Sequence, residues 1–278
     1  MMNKKILVYV FCGQVMRYYY SFFELYQKDP LVKETIDTID NKLKDYLGYS
    51  VWDKIRRSNI EDISIFKEQV LGNSLLFITQ TVIFKLYKSR GITPDYIIAI
   101  SLGEISASYC TGMITLDMAI YILVNRAKLL NGNLRENVIY KVYADKDYYK
   151  TLLKEFPNLE VGAHTSDIDT ILCGLKISEC NAFEKRVSKE NVKFSKLLER
   201  SSFHHSSVED IKDEIINLKI ESGLPNIKQF SCLNGKLFSS SFLYNSQYLY
   251  DQMRGMVDIN TTVKSLFNEI KNSTHTTN

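Results

Sequence analysis

Apolar and polar positions follow two rhythms along this chain. Residues 5–12 form a short apolar run that reads as a buried strand, and residues 17–29 read as a helix with one aromatic face. Residues 31–47 and 61–70 carry helical spacing. Residues 74–90 (SLLFITQTVIFKLYKSR) form a strongly apolar helix that stops before Gly91. Pro94-Asp95 opens the next element, the strand Tyr96–Ile100, and Leu102–Thr111 follows it at once as a helix. A further helix covers 115–131, with Thr115 as N-cap and Asn131-Gly132 as the stop.

From about residue 134 to 199 the rhythm changes. VIYKVYA reads as a strand, DYYKTLLKEF as a helix, LEVGAHT and DTILCGL as strands, ISECNAFEKRVSKE as a helix and VKFSKLL as a last strand. That order, βαββαβ, is the ferredoxin-like split pattern. The chain is therefore expected to be α/β. Residues 1–133 and 200–278 form an α/β-hydrolase-like body with a parallel, helix-covered sheet, and residues 134–199 form an inserted ferredoxin-like subdomain.

Composition narrows the class. The 278 residues are 45% apolar and 24% charged, which excludes a disordered tail, a collagen-like rod and a disulfide-stapled miniprotein. A net charge of +3, from 35 basic and 32 acidic residues, is too small to argue for nucleic acid. The five cysteines, at 12, 110, 173, 180 and 232, are odd in number and show no CxxC spacing; they read as reduced thiols of a cytoplasmic protein, with no metal site. The start MMNKKILVYVFCG resembles a secretory signal but lacks a small-residue cleavage site, so a buried strand is the better reading. No run approaches the roughly 20 apolar residues that span a bilayer.

Candidate chemistry centres on Tyr96-Ile97-Ile98-Ala99-Ile100-Ser101-Leu102-Gly103-Glu104. A buried strand runs into a serine and a helix starts immediately, which is the geometry of a nucleophile elbow; Ala99 and Gly103 supply the small neighbours on either side. Free N–H groups at the helix start can hold a developing oxyanion. An N-cap role for Ser101 explains the same residues. A serine nucleophile needs a base. Of the four histidines, His275 lies in a polar tail and His164 follows a strand, while His204 and His205 stand where the small subdomain returns to the body.

These residues resemble the malonyl-CoA:acyl carrier protein transacylases and the discrete acyltransferases of polyketide synthesis. Phe11-Cys12-Gly13-Gln14 is similar to the family's F-P-G-Q, and Gly91-Ile92-Thr93-Pro94-Asp95 with Ser101-Leu102-Gly103-Glu104 is similar to G-x-x-P-D…G-H-S-L-G-E. Ser202-Phe203-His204 resembles the F-H motif, Ser231-Cys232-Leu233-Asn234-Gly235 the N-x-T-G turn, and Tyr248-Leu249-Tyr250-Asp251-Gln252 the Y-L-x-x-Q motif. The resemblance runs from about residue 6 to 268. It implies Ser101 as nucleophile and His204 as base, the latter oriented by a backbone carbonyl near Gln252. It implies the N–H groups of Gln14 and Leu102 as oxyanion hole, and Arg126 as the guanidinium that grips a malonyl carboxylate. Ile100 and Phe203 would line the acyl pocket. The implied partners are malonyl-CoA and an acyl carrier protein, with no cofactor beyond the thioester itself, no nucleic acid, no membrane and a monomeric chain. Lys185, Arg186 and Lys189 are candidates for docking an acidic carrier.

The chain also departs from the pattern. Ile100 replaces the family's histidine before the serine, and Val15-Met16-Arg17 replaces G-S-Q. Asn73 stands for a glutamine, Ala163-His164-Thr165-Ser166 for an Asn-rich stretch, and Met256, Asp258 and Ile259 for P-V-x-W. The ending KNSTHTTN lacks the E-x-G-P-G segment. Two other functions therefore stand beside malonyl transfer in polyketide or fatty-acid synthesis: an acyl hydrolase acting on carrier proteins, and a non-catalytic carrier-docking adapter.

Overall fold

A computed structural model of the chain describes residues 5–13, 21–58, 68–133, 135–199 and 203–275. Its strands, in chain order, are β1 (Val8–Phe11), β2 (Tyr96–Ala99), β3 (Asn137–Val142), β4 (Glu160–Ser166), β5 (Asp169–Lys176), β6 (Phe194–Glu199), β7 (Lys228–Ser231) and β8 (Val257–Asp258). Its helices are α1 (Ser21–Lys28), α2 (Pro30–Leu47), α3 (Val51–Arg57), α4 (Gln69–Ser89), α5 (Gly103–Cys110), α6 (Leu116–Gly132), α7 (Lys146–Glu155), α8 (Cys180–Lys189), α9 (Lys212–Ile216), α10 (Ser246–Arg254) and α11 (Ile259–His275). They form two compact units, one of Met1–Asn131, Lys219–Ser231 and Leu237–Asn245, the other of Gly132–Leu218, Cys232–Lys236 and Ser246–Asn278.

The first unit is built on a parallel sheet of order β1-β2-β7. Central β2 is the apolar run YIIA, buried at all four positions, as expected of a strand covered on both faces. The carbonyls of Leu7 and Phe11 accept bonds from Tyr96 and Ile100. Odd-numbered β1 residues thus face β2, and Val8 and Val10 turn their backbone groups outward, Val10 being 59% exposed. Beside that edge lies an apolar groove of about 490 Å³, lined by residues of β1 and α4 such as Val10, Ile83, Phe84 and Tyr87.

Helix α2 shows why these stretches are helical. Asp29 accepts from the N–H groups of Leu31 and Val32, Pro30 opens the first turn, and Val32, Ile36, Ile39 and Leu43 make one buried stripe. Helix α4 is apolar nearly all round. By length and composition it could cross a membrane, contrary to the expectation from run length, yet 72% of its most apolar window is buried inside the protein. It is a core helix. It begins at Gln69, earlier than the expected 74; the expected helix at 61–70 falls mostly outside the described residues.

The second unit carries a five-stranded sheet of order β6-β3-β5-β4-β8. Its first four strands are the expected βαββαβ unit, antiparallel throughout. Val138, Tyr140, Val142 and Leu172 from the strands meet Tyr149 and Leu152 of α7 and Phe183 and Val187 of α8 in a single core. The exposed edge of β4 is extended by β8 in parallel, Ala163 opposite Val257, and α11 follows directly. For that reason residues 246–278, expected with the larger body, belong to this unit together with 200–218 and 232–236.

Candidate active site

The first unit holds the serine turn. Ser101 has φ +51°, a left-handed conformation that costs a non-glycine residue about 1–3 kcal/mol and persists only where the surroundings impose it. Leu102 follows and α5 begins at once, with the Gly103 N–H donating to Ile100 (3.0 Å) and the Glu104 N–H to Ser101 (2.9 Å). Gly103 is required by contact. A Cβ there would lie 2.5 Å from the Cys12 carbonyl oxygen and 2.6 Å from that of Phe11, because the end of β1 crosses the helix start. Ala99 is fully buried, and Gly13 packs against Ile100 and Ser101. Within the described residues the Leu102 N–H donates no hydrogen bond, and it points from the positive end of a helix. Gln14, the other expected oxyanion donor, lies outside the described residues, as do Val15, Met16 and Arg17.

Arg126 sits in α6, whose start is capped by Thr115 accepting from Met118 (3.2 Å). It does not lie on a solvated helix face. The side chain is 2% exposed, and Nε and Nη1 find no hydrogen-bond partner among the described residues. Burial lowers its pKa to about 10, with the phenol of Tyr244 opposing the shift. Tyr244 is itself fully buried; burial and Glu104 push its phenol up, while Arg126 pulls it down. Tyr244 is thus within electrostatic reach of both Arg126 and the first turn of α5. Asn73 is also fully buried, with neither amide atom bonded among the described residues.

The second unit holds the histidine. His204 has φ +53°; its N–H donates to the Met253 carbonyl (2.7 Å) and its Nδ1 lies 2.8 Å from the Gly255 carbonyl. A carbonyl only accepts, so the proton is on Nδ1 and Nε2 carries a lone pair. Phe203 meets the imidazole edge to face at 5.5 Å. The carbonyl at Nδ1 is that of Gly255, three residues after Gln252, and the buried side-chain amide of Gln252 bonds nothing among the described residues. His205 has the opposite tautomer. Its Nδ1 accepts from the Ser207 N–H (3.1 Å), so Nε2 carries the proton and donates it to the Asn158 carbonyl (2.9 Å). Gly174, at φ +94°, leaves room for this ring, where a Cβ would lie 2.2 Å from Nε2. With both nitrogens engaged, His205 is structural.

His164 bonds Tyr149 (3.2 Å) beside a small polar cavity of about 220 Å³ in the same unit. Of the expected docking cations, Arg186 is held by Glu155 and Glu190, while Lys185 and Lys189 are exposed. Among the described residues no cluster of three or more potential ligands could hold a metal ion. The buried Tyr244 and the charges around Arg254 were not anticipated; a tyrosine leaves no signal of its burial, and lone charges read as surface.

Known proteins place this geometry. The family model described as "Acyl transferase domain" matches residues 8–275. Probable polyketide synthase 24 of Dictyostelium discoideum is 31% identical over 272 residues, 98% of this chain and 11% of that protein. Probable polyketide synthase 23 of the same organism is 33% identical over 271 residues, 96% of this chain and again 11% of the relative. The chain therefore spans about a tenth of the length of the curated relatives it matches. A loading acyltransferase from the avermectin modular polyketide synthase shares the fold at TM-score 0.85 and 18% identity, over 94% of this chain and 83% of that one. FabD from Acinetobacter baumannii shares it at TM-score 0.77 and 18% identity, over the same shares. With its mixed α/β fold, its strand-to-helix serine turn and a family model matched from end to end, the chain belongs to the acyl transferase domain family.

Proposed function

We propose that the chain moves a malonyl group from coenzyme A to the phosphopantetheine thiol of an acyl carrier protein through an ester on Ser101. The observation that carries this is Arg126, a buried guanidinium with two nitrogens unbonded among the described residues. A charge so placed is costly without a partner, and a carboxylate supplies one through two parallel hydrogen bonds.

The chemistry follows from the protonation states. The Ser101 hydroxyl attacks the thioester carbonyl while His204 Nε2 takes its proton, which the Nδ1 bond to Gly255 makes possible. The oxyanion is held by the Leu102 N–H at the start of α5, with Gln14 as second donor. The tetrahedral intermediate collapses, the C–S bond breaks, and the imidazolium returns the proton to the leaving thiolate of coenzyme A. In the second half His204 takes the proton of the carrier thiol, the sulfur attacks the ester carbonyl, and the C–O bond breaks as the imidazolium returns that proton to the serine oxygen. Ile100 and Phe203, each half-buried in its own unit, are the residues assigned to selection of the acyl group.

Intact-mass measurement tests the reading. Mixing with malonyl-CoA yields a malonyl adduct, absent in Ser101→Ala, that is discharged by a carrier protein bearing its thiol; acetyl-CoA labels the chain far more slowly. An adduct that decays equally fast without carrier assigns the chain to hydrolysis, and no adduct on folded protein assigns it to carrier docking.

A further inference from the structure

Arg254 closes α10 between the two residues whose carbonyls hold His204. The His204 N–H donates to Met253 and its Nδ1 to Gly255, at 2.7 and 2.8 Å. The Arg254 guanidinium is itself tied in two directions. Nη1 donates to Glu160 Oε2 (2.9 Å) at the start of β4, and Nε donates to Glu209 Oε1 (2.8 Å) in the 3-10 turn Ser206–Ile211. Glu160 in turn accepts from the Ser206 N–H through Oε1 (3.0 Å), and the same oxygen is 3.6 Å from His205 Nε2. One planar side chain thus joins α10, β4 and the turn that begins two residues after His204.

We propose that Arg254 is a positioning residue for His204, holding the carbonyls of Met253 and Gly255 in register with the imidazole through its fork to Glu160 and Glu209. The backbone of His204 supplies the reason. A non-glycine residue at φ +53° stays there only if its neighbours over-determine it, and two hydrogen bonds from one short segment do so only while that segment is fixed. Arginine suits the task because its N–H groups leave in fixed directions and reach two carboxylates at once; lysine offers a single point charge. The catalytic half of this inference rests on His204 being the base, whereas its positioning half does not.

The test uses the full chain with Arg254→Met and Arg254→Lys. Proton and nitrogen spectra of the histidine rings report the Nδ1–H of His204 directly. The wild type shows a slowly exchanging Nδ1–H; Arg254→Met loses it while the amide spectrum keeps the dispersion of the folded protein. Transfer kinetics show kcat reduced about 10- to 100-fold, as expected for a misplaced catalytic group, with the KM for the acyl donor unchanged. Arg254→Lys recovers part of both. A protected Nδ1–H and full kcat in Arg254→Met overturn the proposal. If Arg254→Met does not fold, Arg254→Lys decides: an unaltered ring spectrum in it overturns the proposal as well. His204→Asn, assayed separately, isolates the other reading. Full activity there removes the base assignment and leaves the ring spectra to judge the clamp.

Discussion

The Nδ1 of His204 stands 2.8 Å from the carbonyl oxygen of Gly255, and this contact decides which ring nitrogen can act. With the proton on the carbonyl side, the lone pair lies on Nε2, the nitrogen that the proposed mechanism uses as base. Replacement by asparagine, which tolerates a left-handed backbone, is expected to preserve folding and lower acyl-enzyme formation by roughly 10²–10⁴-fold. Stopped mass spectrometry on the Ser101 adduct measures it; a rate within a few-fold of wild type would place the base elsewhere.

Gly103→Ala is expected to destabilise the first unit. The new methyl group would stand 2.5 Å from the Cys12 carbonyl, against backbone that cannot swing aside. Overpacking of this kind costs about 1–3 kcal/mol. Urea unfolding reads the loss as a lower midpoint, and an unchanged midpoint would mean that β1 and α5 separate freely.

Arg126→Met should do the reverse. Its pKa, lowered to about 10 by burial, means that the folded state holds the proton less tightly than the unfolded chain. Stability therefore rises with pH only above about 10, and at neutral pH the penalty is complete, on the order of 3 kcal/mol. Methionine removes that penalty and keeps the apolar stem. The expected outcome is a higher melting temperature with loss of preference for malonyl-CoA over acetyl-CoA. A variant that melts lower and keeps its preference contradicts the role given to Arg126.

Acid stability should depend on Glu160. Burial pushes its carboxyl up, but hydrogen bonds from Ser206, the Nε2–H side of the His205 ring and the charge of Arg254 outweigh that and hold it below the usual carboxylate range. A carboxylate lowered in the folded state adds stability above its unfolded pKa and loses it as pH falls through the folded value. Glu160→Gln should thus cost about 1 kcal/mol or less at pH 7, the group being partly in solvent, and nothing once the wild-type group is protonated. Melting curves at both ends of the range test this; a cost that stays constant with pH would show that shape and not charge is at work.

Much of this architecture was legible because short elements carried their own punctuation. The βαββαβ segment could be read since each strand is an apolar stretch ended by polar or small residues, and Thr115 marked the start of α6. The serine turn was visible in the abrupt passage from YIIA to a helix with Gly103 placed for a backbone crossing. Less could be seen after residue 203. β8 is two residues long and pairs only with the edge of β4; earlier in the chain, α3 has seven residues, about two turns, too short for a clear periodic signal. The burial of Arg126 comes from packing around α6, since a charged residue in an amphipathic stretch reads equally well as solvated.

The outward edge of β1 has a practical consequence. Val8 and Val10 offer an adhesive strip: main-chain donors and acceptors beside an oily furrow, with no lysine or proline among Val8–Phe11 to discourage a visitor. Purified material held at high concentration should clump slowly through that strip, and Val10→Lys, a charge set on an already wet position, should lengthen its shelf life without touching the chemistry.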